Sequence, residues 1–191
     1  ENAIVILPGA NAGQTLDGIR AGLEHANDGD LLLLQNETTL QVEGAKLASQ
    51  KGVRVLYSAA PFDPRTVTVV LPYIDTLLLN EVEARQLEKA LDQSLFSLSV
   101  PHVVITLGSK GARWIDNGTG VVHEVAAERV TAVDTTGAGD TFAGYLAAAL
   151  QEGQSAQEAM GLAGRAAALK VTRKGTADAI PTRAEVEAFR T

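Results

Sequence analysis

One run in the second half of the chain carries residue types that move phosphate. Val133-Asp134-Thr135-Thr136-Gly137-Ala138-Gly139-Asp140-Thr141-Phe142-Ala143-Gly144 sets a Gly-Ala-Gly turn at the start of an apolar helical stretch. There, N–H groups without intrahelical acceptors and the positive end of the helix dipole favour an anion. Asp140 falls in the first helical turn, directly after this candidate anion hole. A carboxylate beside a phosphate is repulsive unless it has a task, and the fitting task is to take the proton of an attacking hydroxyl during phosphoryl transfer. The alcohol loses that proton late, as its oxygen bonds to phosphorus, so an ordinary Asp suffices. The amides of Gly137, Ala138 and Gly139 would stabilise charge on the transferring group. The alternative is a Gly-rich turn whose acidic residues only complement the dipole. No GxxxxGK[ST] loop occurs, and Gly108-Ser109-Lys110-Gly111 lacks that spacing.

Three further groups are candidates. Asn80 and Glu83 have the spacing of an N-cap and its N3 partner, so a capping box accounts for them as well as a ligand contact does. Thr106, Gly108, Ser109, Lys110 and Gly111 follow an apolar run and read either as a strand-end loop that holds a ligand or as an ordinary turn. Glu37 stands in the polar break Gln35-Asn36-Glu37, where a solvated carboxylate is the plain alternative.

The elements that must position these residues alternate. Apolar runs at 3–7, 31–34, 53–57, 76–79 and 103–107 predict buried strands, the first closed by Pro8-Gly9. Between them, helical spacing appears at Leu16, Ile19 and Leu23 behind the cap Thr15, at Leu40, Ala45, Leu47 and Ala48, and at Ala84, Leu87 and Leu91. Asn117-Gly118-Thr119-Gly120 between 112–116 and 121–125 predicts a hairpin. Helices over 136–150, 156–172 and 183–189 end the chain. The expected fold is α/β: a mostly parallel sheet flanked by helices on both faces, with an antiparallel hairpin toward one edge.

Composition narrows the function. The 191 residues are 46% hydrophobic and carry a net charge of −7, which argues against binding nucleic acid through general phosphate attraction. Phosphate contacts must then be local. With no cysteine there is no disulfide framework, thiolate metal site or cysteine nucleophile, in keeping with a cytoplasmic protein. His25, His102 and His123 form no metal-binding pattern, and no apolar run approaches the ~20 residues of a membrane span.

The run Asp134–Phe142 resembles the signature of the ribokinase-like carbohydrate kinases, also called phosphofructokinase-B-type sugar kinases. The similarity extends along the chain through Asn2-Ala3-Ile4-Val5 with Pro8-Gly9-Ala10-Asn11, Leu79-Asn80-Glu81-Val82-Glu83-Ala84, Ile105-Thr106-Leu107-Gly108-Ser109-Lys110-Gly111 and Val171-Thr172-Arg173-Lys174-Gly175. It implies a Rossmann-type three-layer fold and ATP-dependent phosphorylation of a sugar hydroxyl, foremost D-ribose to D-ribose 5-phosphate. Fructose, another sugar or a nucleoside remain alternative acceptors, and a non-catalytic nucleotide-binding module is a third reading. Residue by residue, it implies Asp140 as the base acting on the sugar, Gly137, Ala138 and Gly139 as the anion hole, and Glu37 against the sugar. It implies Asn80 and Glu83 in the phosphate and magnesium-water network, and Thr106, Gly108, Ser109, Lys110 and Gly111 in the ATP loop. It also implies a potassium site formed by the Asp134 carboxylate with mainly backbone carbonyls of Thr136, Lys170, Arg173 and Gly175. Two positions depart from the family pattern, Ala179 at the edge of that cation site and Gly164 near the adenine. Residues 1–191 thus read as a single nucleotide-binding and phosphoryl-transfer region. The family's sugar-binding segment and β-sheet lid, which also forms a homodimer interface, would precede Glu1, so these residues alone are expected to be inactive.

Overall fold

The computed structural model describes residues 7–189. Most of the expected strand at 3–7 and the motif at 2–5 lie outside them; Leu7 is exposed and in no strand. Pro8 does not end a simple turn but opens a 3-10 segment, Gly9–Gly13. From there the order is α1 (Leu16–Gly22), β1 (Leu31–Gln35), α2 (Gln41–Gln50), β2 (Arg54–Ser58), α3 (Pro64–Val70), β3 (Thr76–Asn80), α4 (Glu81–Leu91), β4 (His102–Thr106), β5 (Ala112–Asp116), β6 (Val122–Val125), α5 (Ala138–Gln151), α6 (Ala156–Val171) and α7 (Arg183–Ala188).

The six strands form one sheet in chain order; β1 to β4 run parallel, and β5 and β6 are antiparallel, as the hairpin signal predicts. Alternation along each strand divides the core into two layers. Val55, Tyr57, Leu77, Leu79, Val103 and Ile105 face α2, α3 and α4, which contribute Ala45, Ala48, Val67, Val70 and Leu87. Leu56, Leu78, Val104 and Trp114 face the other way, onto Phe142, Leu146, Met160, Ala163 and Ala166 of α5 and α6. Each such Leu or Val, fully buried, contributes about 1.5–3 kcal/mol, so the two layers rather than surface ion pairs hold the sheet. β1 departs from expectation. All five of its residues are half-buried instead of buried, because it is the outermost strand of the sheet and pairs only with β2 among the described residues.

Chain reversals set the ends of the strands. After β4 the backbone turns through the 3-10 segment Gly108–Lys110 to Gly111, whose φ is +109° and whose Cβ, if present, would lie 1.9 Å from the Val125 carbonyl oxygen. Only glycine fits between the β4–β5 turn and β6. Gly111→Ala is therefore expected to cost about 2–4 kcal/mol in chemical denaturation; a loss under about 1 kcal/mol would mean that this close approach does not hold the turn.

Candidate active site

The carboxyl ends of parallel strands are where an open α/β sheet offers a crevice. Gln35 ends β1, Asn80 ends β3 and Thr106 ends β4, with Asn80 and Thr106 directly opposite each other. α5 begins over the same edge. Gly137, at φ +76°, is its N-cap, a left-handed conformation that suits glycine. The first α-helical bond runs from the Thr141 N–H to the Gly137 carbonyl at 2.9 Å, and the buried Thr141 hydroxyl donates to the same oxygen at 2.8 Å. The amides of Gly139 and Asp140 are left without a backbone acceptor among the described residues, available to an anion. Ala138 differs from expectation in part. Its N–H turns back to the Thr135 carbonyl at 3.2 Å, closing the turn, so it is a weaker contributor than Gly139.

Asp140, exposed at the mouth of this turn, is held by a residue that sequence reasoning passed over as part of a polar break. The Gln35 side-chain amide donates to Asp140 Oδ1 at 2.6 Å, across 105 residues of sequence. Oδ2 has no protein partner among the described residues and lies over the turn, 3.9 Å from where a Gly137 Cβ would stand. One oxygen is thus anchored and the other is free to take a proton. The available signal for Gln35 was a lone polar residue closing an all-leucine strand at its carboxyl end. Glu37, two residues on, is exposed and has no hydrogen bond or ion pair among the described residues.

A second group lies at the ends of β3 and β4. Asn80 and Glu83 form the capping box of α4: Asn80 Oδ1 accepts from the N–H groups of Val82 and Glu83, both at 2.9 Å, and Glu83 Oε2 accepts from the Asn80 N–H at 2.8 Å. The pair forms the cap, and Oε1 of Glu83 accepts no hydrogen bond among the described residues. Thr106 Oγ1 donates to the Leu79 carbonyl at 3.5 Å, while Gly108, Ser109 and Lys110 are exposed. Lys110 Nζ stands 3.4 Å from Glu81 Oε1 and links this loop to α4.

The third group gathers around Asp134, just before the turn at 137–139. Asp134 Oδ1 accepts from the Thr136 N–H and Oδ2 from the Gly175 N–H, both at 3.0 Å. Those two amides, with a smaller contribution from the Lys170 charge, hold its carboxyl at about 2, well below the usual carboxylate range. Val133 and Asp134 donate to the Val171 carbonyl at 2.7 and 3.1 Å, so the approach to the turn is stitched to the end of α6. Lys170 brings a side chain to this group as well as the backbone carbonyl that was expected of it. Its carbonyl accepts the Arg173 N–H at 3.0 Å, while its side chain is fully buried and Nζ donates to the Asp134 carbonyl at 3.1 Å. Cε passes 4.0 Å from where a Gly137 Cβ would be. Arg173 points away, its guanidinium 2.7 Å from Glu185 of α7, whose carboxyl it holds at about 2. Ala179 brings a methyl group, not an oxygen, to the side of Gly175. Gly164 lies within α6, with open space where a Cβ would stand.

A hollow of about 790 Å³ lined by Val125, Gln154, Ser155, Gly161, Arg165 and Arg183 shares no residue with these groups. It runs along the first half of α6 and contains no residue of the turn at 137–139. The chemistry belongs to the sheet edge.

Because the folded-state pKa of Asp134 lies below its unfolded value, its stabilisation is fully present above about pH 4 and is lost as pH falls toward 2. Asp134→Asn is expected to lower the denaturation midpoint at pH 7 and to flatten the acid side of the profile between these limits. An unchanged acid slope would remove the carboxylate from this role.

Similarity to known proteins agrees with this geometry. Residues 1–183 match the family described as pfkB family carbohydrate kinase. The ribokinase of Haemophilus influenzae is 38% identical over 201 residues, covering 99% of this chain and 65% of that protein. Among solved structures, Thermotoga maritima ribokinase superposes with a TM-score of 0.82 at 34% identity, over 98% of this chain and 65% of its own. Arabidopsis thaliana ribokinase, complexed with ribose and ATP, gives 0.81 at 29% identity over 98% and 64%. The chain therefore spans slightly less than two thirds of the length of these relatives. With the family match running almost end to end and the Gly-Ala-Gly turn standing over the carboxyl edge of a matching sheet, this chain belongs to the pfkB family of carbohydrate kinases.

Proposed function

We propose that the protein containing this chain transfers the γ-phosphoryl group of ATP to a sugar hydroxyl, with O5 of D-ribose as the acceptor. The observation that carries the reading is Asp140, anchored through Oδ1 to Gln35 and free at Oδ2 above the turn at 137–139. In this reading Oδ2 takes the hydroxyl proton as the sugar oxygen attacks in line, and the amides of Gly139 and Asp140 stabilise the phosphoryl oxygens. Gln35 is a positioning residue: it keeps the base from rotating into solvent. Glu37, at the same strand end, supplies a carboxylate for sugar hydroxyls. The loop 108–111 holds the nucleotide above β4, with Lys110 and Glu81 fixing it to α4.

Magnesium fits as a guest of the nucleotide. Among the described residues no three His, Cys, Asp or Glu side chains converge into a metal cage, whereas Glu83 has one carboxylate oxygen to spare for a metal-bound water. The ion would neutralise phosphate charge. A segment preceding Glu1, as in the longer relatives, would complete the sugar pocket and its lid, and would supply the surface for a homodimer. Ribose as the acceptor rests on the named ribokinases, one of them bound to ribose and ATP.

The decisive assay is ADP release by the full-length gene product with magnesium, ATP and D-ribose, D-fructose or adenosine in turn. A rate selective for ribose is expected; turnover with another acceptor would move the substrate, and none with any would overturn the kinase reading. Asp140→Asn should lower kcat by about 10²–10⁴ with nucleotide affinity nearly unchanged. Gln35→Ala should lower kcat by about ten- to a hundredfold through misplacement of the base, with KM for ATP held. A loss confined to KM for ATP in either variant would contradict these roles.

A further inference from the structure

A potassium ion in the site that family resemblance implies does not fit the residues present. Both oxygens of the Asp134 carboxylate accept backbone N–H groups, the Lys170 carbonyl accepts the Arg173 N–H, and Ala179 offers no oxygen. The position is also charged already. The Lys170 side chain is fully buried, and its stem runs beneath Gly137 to deliver Nζ to the Asp134 carbonyl at 3.1 Å. A free cation on the Asp134 oxygens would sit beside a buried ammonium in a weakly screened setting and be repelled.

We propose that the ε-ammonium of Lys170 is the built-in monovalent cation of the phosphoryl-transfer turn, so that this protein neither binds nor requires free potassium. The proposal rests on the kinase reading above for what the turn does, but not for where the charge is. An ammonium group has the size and charge of a weakly hydrated monovalent ion and donates to the same kind of carbonyl oxygen that would ligate one. Tethered to α6, it needs no ion to be recruited from solution. Its charge acts on the turn from beside Gly137, and it offsets the negative charge of Asp134 in an otherwise acidic chain. Lys170 is thus a positioning residue that acts through the turn; it touches neither base nor acceptor.

The test compares full-length wild type with Lys170→Met, which keeps the volume, and Lys170→Ala, which leaves room for an ion. Each is measured in potassium chloride and in tetramethylammonium chloride at equal ionic strength. Two readouts are taken, kcat with ribose and the thermal midpoint of the ADP complex. For wild type both should agree between the salts within about twofold in rate. Lys170→Ala should lose about tenfold or more in tetramethylammonium and recover a large part of it in potassium, in rate and in midpoint alike, while Lys170→Met should lose activity without recovery. A purely structural lysine would lower the midpoint and give no potassium response in Lys170→Ala, which would overturn the proposal. So would stimulation of wild type by potassium, a result that stands even where the variants fail to fold. If no sugar is turned over, the kinase reading fails, and the wild-type midpoint in the two salts still decides the lysine.

Discussion

The Gly-Ala-Gly turn depends on Asp134. Beyond the bond from the Ala138 N–H to the Thr135 carbonyl and those from Thr141 to the Gly137 carbonyl, a turn with two glycines and two unpaired amides has little internal reason to stay in one shape, because glycine loses the most backbone freedom on ordering. Asp134 supplies that reason from outside. Its carboxylate accepts from the Thr136 N–H before the turn and from the Gly175 N–H beyond α6, 41 residues away, and its carbonyl accepts from the Lys170 ammonium. With Val133 and Asp134 also bonded to the Val171 carbonyl, the approach to α5 and the exit from α6 form one knot. Bonds from charged groups are the stronger kind, and here they lie where a small shift would redirect the free amides at the start of α5.

The sheet carries this knot because its two faces are filled independently. Leu56, Leu78 and Val104 pack under α5 and α6 while Leu77, Leu79 and Ile105 pack on the opposite layer, so the helix that presents Asp140 rests on a core of its own. β1 is the exception, with each of its residues half-buried, yet it is β1 that reaches across to Asp140 through Gln35. That hydrogen bond ties a strand at the edge of the described sheet to the first turn of α5. It makes the placement of the Asp140 carboxylate depend on how β1 is held.

The electrostatics of the site are local by necessity. A chain of net charge −7 offers little general attraction to a polyphosphate. The positive groups at this edge are helix-terminal amides and one lysine removed from solvent, both oriented by the fold. The exposed pairs, Lys110 with Glu81 among them, fix loops and add little to stability. The acidity of the surface is compatible with phosphate chemistry because the positive ends point inward at one edge.

Much of this was legible in the residues themselves. Continuous apolar runs, their spacing by helical patterns, and Asn117-Gly118-Thr119-Gly120 specified the strands, the helices and the antiparallel hairpin, since local pattern and turn chemistry act over a few residues. The Gly-Ala-Gly turn followed by Asp140 pointed to phosphoryl transfer for the same reason: amide direction at a helix start is a local property. The sequence alone could not choose between cap and ligand for Asn80 and Glu83, and the folded chain shows the cap. Nor could it foresee the contacts of the Gln35 and Lys170 side chains, because each bonds to a partner 105 or 36 residues away in the chain. Only the packing of α5 against β1 and α6 brings those groups together. Whether a lysine side chain ends in water or beneath a glycine is decided by which helix face the tertiary structure buries, not by its neighbours in sequence.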